Sequence, residues 1–234
     1  ESAIAKRQLM LATQIFKHID SDQPIRFLIA ECEQSITILS ALFLAKKLGI
    51  EEKLDISPLF ETRYGLEHGE QVIKNLLDQN IFIKYLKKRG RLSIQTGFSD
   101  AGRFIGQIAA NFAIERLQLK IAEILYNKKD LKIDFLLFNT HGESIGRGGV
   151  QSDIRTRQSY IITPYVRHKI SKMQLHLNHQ TSFQGGDGFR LFGTIELAKS
   201  TIKNLFLSEF KKYNKLPVED KFYEKSNFSL DFFI

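Results

Sequence analysis

Three short polar segments carry the residue types with which a protein would hold a divalent cation beside an anion. They are Pro58-Leu-Phe-Glu-Thr62, Gly97-Phe-Ser-Asp-Ala-Gly102 and His141-Gly-Glu-Ser-Ile-Gly-Arg-Gly-Gly149. The first two each supply one carboxylate, Glu61 and Asp100. A hard cation such as Mg2+ or Mn2+ takes oxygen ligands, often only one or two protein carboxylates, with water and substrate oxygens completing an octahedron. The same acids also read as ordinary helix caps, because Asp100 opens a long helical pattern where a carboxylate favours free amides and the positive helix end. The third segment sets Gly142, Gly146, Gly148 and Gly149 around one guanidinium, Arg147. Glycines let backbone approach an anion, and arginine pairs bidentately with carboxylate, phosphate or bicarbonate. This loop lacks the Gly-Lys-Ser/Thr ending of a nucleotide-hydrolase phosphate loop, and a surface turn accounts for it equally well. Arg103, one helical turn into the segment after Asp100, either aims a second cation at the same pocket or lies exposed.

Each segment follows a strand-like run. Arg26–Glu31, Leu54–Phe60, Leu92–Thr96 and Ile133–Phe138 are apolar and partly β-branched, which predicts strands. Helical spacing of apolar residues predicts helices over Ser35–Lys47, Gln71–Lys88 and Ala101–Tyr126. Such alternation predicts an α/β fold of parallel strands with crossover helices, in which segments after each strand emerge at one end of the sheet. Four units are half of what a (β/α)8 barrel needs, at eight strands and typically ~250 residues. After Gly149 the pattern changes: Thr156–Leu177 is mixed and basic, Gly185-Gly-Asp-Gly188 marks a turn, and Thr194–Tyr213 carries a helical stripe. The expected organisation is a half-barrel over residues 1–150 that carries the site motifs, and a helical continuation over 151–234.

Composition narrows the classes. The 234 residues are 43% hydrophobic, enough for a sizeable core. No apolar stretch approaches the ~20 residues that cross a bilayer, and the first residues do not resemble a signal peptide; the expectation is a cytoplasmic protein without a membrane partner. A lone cysteine, Cys32, excludes an internal disulfide. The formal charge of +8 comes from lysines scattered singly or in pairs, not the concentrated face a nucleic-acid groove needs. His176 and His179 have the spacing of a metal pair but no accompanying HExxH pattern, so solvent-facing histidines are expected.

Taken together the segments resemble the phosphoenolpyruvate carboxylase family. Its members carry Pro-Leu-Phe-Glu-Thr, then Gly-Tyr-Ser-Asp-Ser with a lysine shortly after, then Phe-His-Gly-Arg-Gly-Gly and Gly-Arg-Gly-Gly. The chain has Pro58 to Thr62, Gly97 to Asp100, His141-Gly142 and Gly146 to Gly149 in that order. The resemblance implies a (β/α)8 TIM-type barrel enlarged by helices, of which the chain supplies the second half. It implies conversion of phosphoenolpyruvate and bicarbonate to oxaloacetate and phosphate with Mg2+ or Mn2+, by a protein that forms homo-oligomers. Glu61 and Asp100 would hold the metal. Arg147 would contact bicarbonate or its activated form, with His141, Gly148 and Gly149 lining the substrate, and Arg103 stands where the family has its lysine. Two positions depart from the pattern: Glu143 follows His141-Gly142 where the family has arginine, and Gly186 replaces an acid. These departures keep open the alternative of a catalytically inactive scaffold or anion-binding relative.

Overall fold

The structure, a computed structural model, describes residues 2–140, 145–149, 154–182, 189 and 191–210. Within them, five strands form one parallel sheet in chain order: β1 (Ile25–Ile29), β2 (Leu54–Phe60), β3 (Arg91–Thr96), β4 (Asp134–Thr140) and β5 (Leu177–Ser182). The connections carry helices, as parallel neighbours require. These are α1 (Ser2–His18), α2 (Ser35–Lys47), α3 (Arg63–Leu77), α4 (Asn80–Arg89), α5 (Phe98–Ile105), α6 (Gln107–Asn127), α7 (Ile154–Ile161), α8 (Pro164–Lys172) and α9 (Ile195–Phe210). The molecule is therefore a helix-rich α/β protein, as expected.

Strand alternation sorts the two faces of the sheet. Ile25, Phe27, Leu54, Ile56, Phe60, Leu92, Ile94, Phe135 and Leu137 join the apolar core with the helices. The opposite face is mixed: Arg26, Asp55, Ser57, Ser93, Gln95 and Gln180 occupy alternate positions beside Leu59, Leu136 and Phe138. The sheet is curled around this face. Flat, five strands would hold β1 and β5 roughly 19 Å apart at four interstrand spacings. Yet Arg26 of β1 donates to Gln180 of β5 at 2.5 Å, and its guanidinium stacks 4.2 Å from the Phe138 ring of β4.

β2 and β3 are joined unevenly. Their ladder runs only through Leu59–Gln95 and Phe60–Thr96, at the C-terminal end. Lower down, the Tyr85 hydroxyl of α4 stands in for the ladder, accepting from Ile56 N at 2.8 Å and donating to Leu54 O at 2.9 Å. Pro58, which has no N–H to give, fits an interior strand because its edge faces this gap. The Ser57 and Ser93 hydroxyls close the gap from the opposite face at 2.7 Å. The pair is splayed at one end and pinched at the other.

Four local features differ from the sequence expectations. The span read as one helix over Gln71–Lys88 is two, α3 and α4, divided at Asp78 and Gln79. The long helix after Asp100 breaks at Gly106, whose φ of 86° is closed to L side chains, and restarts as α6. The unanticipated α1 docks through Leu9 and Ala12, both buried. Finally, β5 lies inside the stretch read as a helical continuation. It pairs with β4 from Phe135–Leu177 to Thr140–Ser182, and so few of its residues are apolar that periodicity could not reveal it. His179, expected in solvent, is on this strand. It sits between Asn139 Oδ1 at 2.7 Å and the Arg167 guanidinium at 3.1 Å, and burial, then the Arg167 charge, lower its pKa to about 3. His176 is exposed and meets Asp134 at 2.9 Å.

Candidate metal and anion site

The C-terminal ends of β2 and β3 bring the two acids together. Glu61 directly follows β2, while Asp100 lies in the first turn of α5, three residues past the Gly97 that leaves β3. The approach depends on Gly97: a Cβ there would stand 2.4 Å from Glu61 Cβ, closer than carbon atoms tolerate. The Gly97 N–H continues the strand pairing onto Phe60 O at 2.9 Å, holding the crossing in place.

Neither acid is a helix cap. Thr62 caps α3, accepting from Gly65 N at 2.9 Å, and Gly97 occupies the cap position of α5 without a side-chain bond. The partly buried Glu61 instead accepts from the Glu31 N–H at 3.1 Å. Asp100 is close enough for its negative charge to act on it. Burial, and after it the negative charge of Asp100, hold the Glu61 carboxyl above the ordinary carboxylate range, against the downward pull of the Glu31 N–H. A cation between the two would relieve this repulsion. Asp100 also meets Arg103 at 3.2 Å, an exposed i,i+3 pair in which the arginine is 70% accessible.

The Arg147 turn (Ile145–Arg147) packs on α5 and α6, and hence on the helix that carries Asp100 and Arg103. Gly146 seats it: a Cβ at that position would lie 2.8 Å from Asn111 Oδ1 and 3.0 Å from Gln107 Oε1. Arg147 is partly buried, and Gly148 and Gly149 are buried. Gly148 lies against Arg157 and Tyr160 of α7, and the Gly149 carbonyl accepts from the Arg157 guanidinium at 3.2 Å. His141 and Glu143, like Gly186, fall outside the described residues. The structure thus joins Glu61, Asp100 and Arg103 directly and places the Arg147 turn on the same helix.

Sequence reading missed Glu31. Its φ of 47° turns the backbone N–H onto Glu61; the available signal was its place just past β1, at the same end of the sheet. It also missed Gln107 and Asn111 beneath the Arg147 turn, which stand one helical turn apart on α6.

Among the described residues no group of three or more His, Cys, Asp or Glu side chains is placed to hold a metal. The Glu61–Asp100 pair nevertheless fits a hard cation, because one or two carboxylates suffice as the protein share of an octahedral site whose remaining ligands are water and substrate. Cys32 contributes nothing to it, since burial pushes its thiol up to about 12. No described helix is long and apolar enough to cross a membrane.

Known proteins similar to this chain are phosphoenolpyruvate carboxylases. The phosphoenolpyruvate carboxylase of Tolumonas auensis is 29% identical over 136 residues, 58% of this chain and 15% of that protein. That of Xanthomonas oryzae pv. oryzae is 31% identical over 129 residues, 53% of this chain and 14% of that protein. Phosphoenolpyruvate carboxylase 1 of Chlamydomonas reinhardtii is 24% identical over 163 residues, covering 69% of this chain and 16% of its own length. The chain thus spans a small fraction of the curated relatives it matches. The family model for phosphoenolpyruvate carboxylase matches residues 8–154, a stretch that contains β1 to β4, both carboxylates and the Arg147 turn; the chain belongs to the phosphoenolpyruvate carboxylase family.

Proposed function

We propose that this chain is the metal- and anion-binding segment of a protein that carboxylates phosphoenolpyruvate with bicarbonate, giving oxaloacetate and phosphate. The curled sheet is then part of a (β/α)8 barrel whose remaining strands lie elsewhere in the complete protein. The observation that carries this reading is the meeting of Glu61 and Asp100 where β2 and β3 are pinched together. Family membership supports the reaction, and the chemistry of the paired acids supports the cation.

Glu61 and Asp100 would hold Mg2+ or Mn2+, which when bound supplies positive charge to polarise substrate oxygens. The protein's own part is positioning. The Glu31 N–H fixes one Glu61 oxygen, and the Gly97 crossing fixes the distance between the acids. Arg103, paired with Asp100, offers an exposed guanidinium at the rim, and Arg147 would present a second from a turn anchored on α6. Fixed guanidinium groups stabilise anionic transition states without reorganising during the reaction. His141, Gly148 and Gly149 complete the substrate side of this proposal.

Mn2+ titration of the chain, followed by calorimetry, tests the metal site. Glu61→Gln and Asp100→Asn are each expected to weaken binding by more than roughly 100-fold, beyond the 10–100-fold typical of outer-shell partners. Unchanged affinity in both variants would remove the site. Oxaloacetate formation by the complete protein, coupled to malate dehydrogenase, tests the reaction. Mn2+ binding without turnover selects the inactive relative that Glu143 and Gly186 suggest.

A further inference from the structure

Two carboxamides lie between the helix that carries Asp100 and the turn that carries Arg147. Gln107 opens α6 and Asn111 follows one helical turn later, so both project from one side of that helix. The Gln107 carboxamide is wedged between two glycines. A Cβ on Gly102 of α5 would stand 2.7 Å from its Cδ and 2.9 Å from its Oε1, and one on Gly146 would stand 3.0 Å from the same oxygen. Asn111 Oδ1 meets the Gly146 position at 2.8 Å. Gly102 is itself buried, next to Arg103 and two residues from Asp100. Both carboxamide oxygens are shut off from solvent, and neither accepts a hydrogen bond among the described residues. Buried acceptors are rarely left in that state. Hydrogen bonding therefore does not account for these two side chains, whereas shape does: each fills the room that a glycine leaves opposite it.

We propose that Gln107 and Asn111 are positioning residues for the anion side of the site, a spacer that sets how far the Arg147 turn stands from α5. The turn packs on both α5 and α6. Gly102 and Gly146 let the two backbones approach, and the carboxamide between them stops the approach. Asp100 takes its place from β3 instead, through the Gly97 crossing, so the metal side and the anion side are set by separate contacts. Such spacing matters because a misplacement of about 1 Å can cost ~100-fold in rate. The assignment rests on the carboxylase reading for what Arg147 does, while the spacing stands on packing alone.

The test uses the full chain and pairs substitutions across the gap. Gly146→Ala adds a methyl where Asn111 Oδ1 already stands, and Asn111→Ala removes that oxygen. Each alone displaces the turn, and together the methyl fills the vacated space. Native-state trypsin cleavage after Arg147, read by mass spectrometry, is expected to be roughly tenfold faster in each single variant and within about threefold of the unsubstituted chain in the double variant. Phosphate affinity, measured by calorimetry at saturating Mn2+, should fall and recover in the same order, with Mn2+ affinity unchanged throughout. A double variant no better than Gly146→Ala, or Gly146→Ala without effect on cleavage, would overturn the spacer. Cleavage that follows the expected order while phosphate affinity stays flat would overturn the positioning role. An unsubstituted chain that binds no Mn2+ would instead reject the metal reading, and the cleavage order still decides the spacer. Should a variant not fold, nuclear Overhauser contacts in the unsubstituted chain from the Gly146 α-protons to the Gln107 and Asn111 side-chain amides decide the matter, and their absence removes the spacer.

Discussion

Strand β2 has a carboxylate at each end, and the two have opposite surroundings. Asp55, 1% exposed, is met by Arg89 at 2.7 Å and Arg91 at 2.7 Å, with Arg26 at 3.9 Å. Its charge is more than matched by guanidinium groups that come from β1, α4 and β3, so the cluster ties those elements together. Glu61, six residues on, faces Asp100 instead and receives one backbone N–H. The first acid is complete within the protein, while the second is left short of positive charge. A single strand therefore separates an end whose carboxylate is fully paired from an end where one carboxylate faces another.

The comparison is most easily broken at Asp55. Asp55→Ala leaves three partly buried arginines without their shared partner and is expected to cost about 3–5 kcal/mol, the usual penalty for half of a buried ion pair. Urea unfolding measures it, and a loss below 1 kcal/mol would deny the cluster its structural role.

His179 offers a third response to burial, that of giving up charge. Its folded pKa of about 3 lies below the unfolded value near 6.5, so between those limits the unfolded chain binds a proton that the folded chain refuses. Stability attributable to His179 is full above pH ~6.5 and falls as pH drops, by about 2 kcal/mol at pH 5. His179→Asn should remove that slope in unfolding curves recorded between pH 7 and 5.

Tyr85→Phe probes the splayed side of β2. Deleting one hydroxyl strands both Ile56 N and Leu54 O, with an expected cost of about 1–3 kcal/mol by denaturant unfolding. The smallest effect belongs to Glu61→Gln, within about 0.5 kcal/mol of zero, since it removes like-charge repulsion and keeps an acceptor for the Glu31 N–H. If Glu61→Gln destabilised as much as Asp55→Ala, the distinction between the two ends would vanish.

Much of this was legible from residues. Apolar runs marked β1 to β4, and the polar segments holding Glu61 and Asp100 marked the C-terminal end of the sheet. Helical spacing found α2 and most of α6, but periodicity carried straight through Gly106, because one residue's φ leaves no mark on an apolar stripe. β5 was hidden for a different reason. Leu177-Asn-His-Gln-Thr-Ser182 is held by its ladder and by polar partners, with Asn178 donating to Asp134 at 3.0 Å and His179 meeting Asn139. Those partners are 40 and 44 residues away, outside any local window. At the site, the acids were visible as types, whereas the positive φ of Glu31 that aims its N–H was not.

The interruption at Gly106 also has a mechanical meaning. An unbroken helix of this combined length would be a stiff rod some 44 Å long at 1.5 Å per residue, with any displacement at its far end passed on to Asp100. With a swivel one turn beyond Arg103, the short leading piece takes its heading from β3 and Phe98, while the long trailing piece settles against α3 and α8. Aim and anchorage become separable, and substitutions along the buried face of α6 can accumulate without steering the carboxylate.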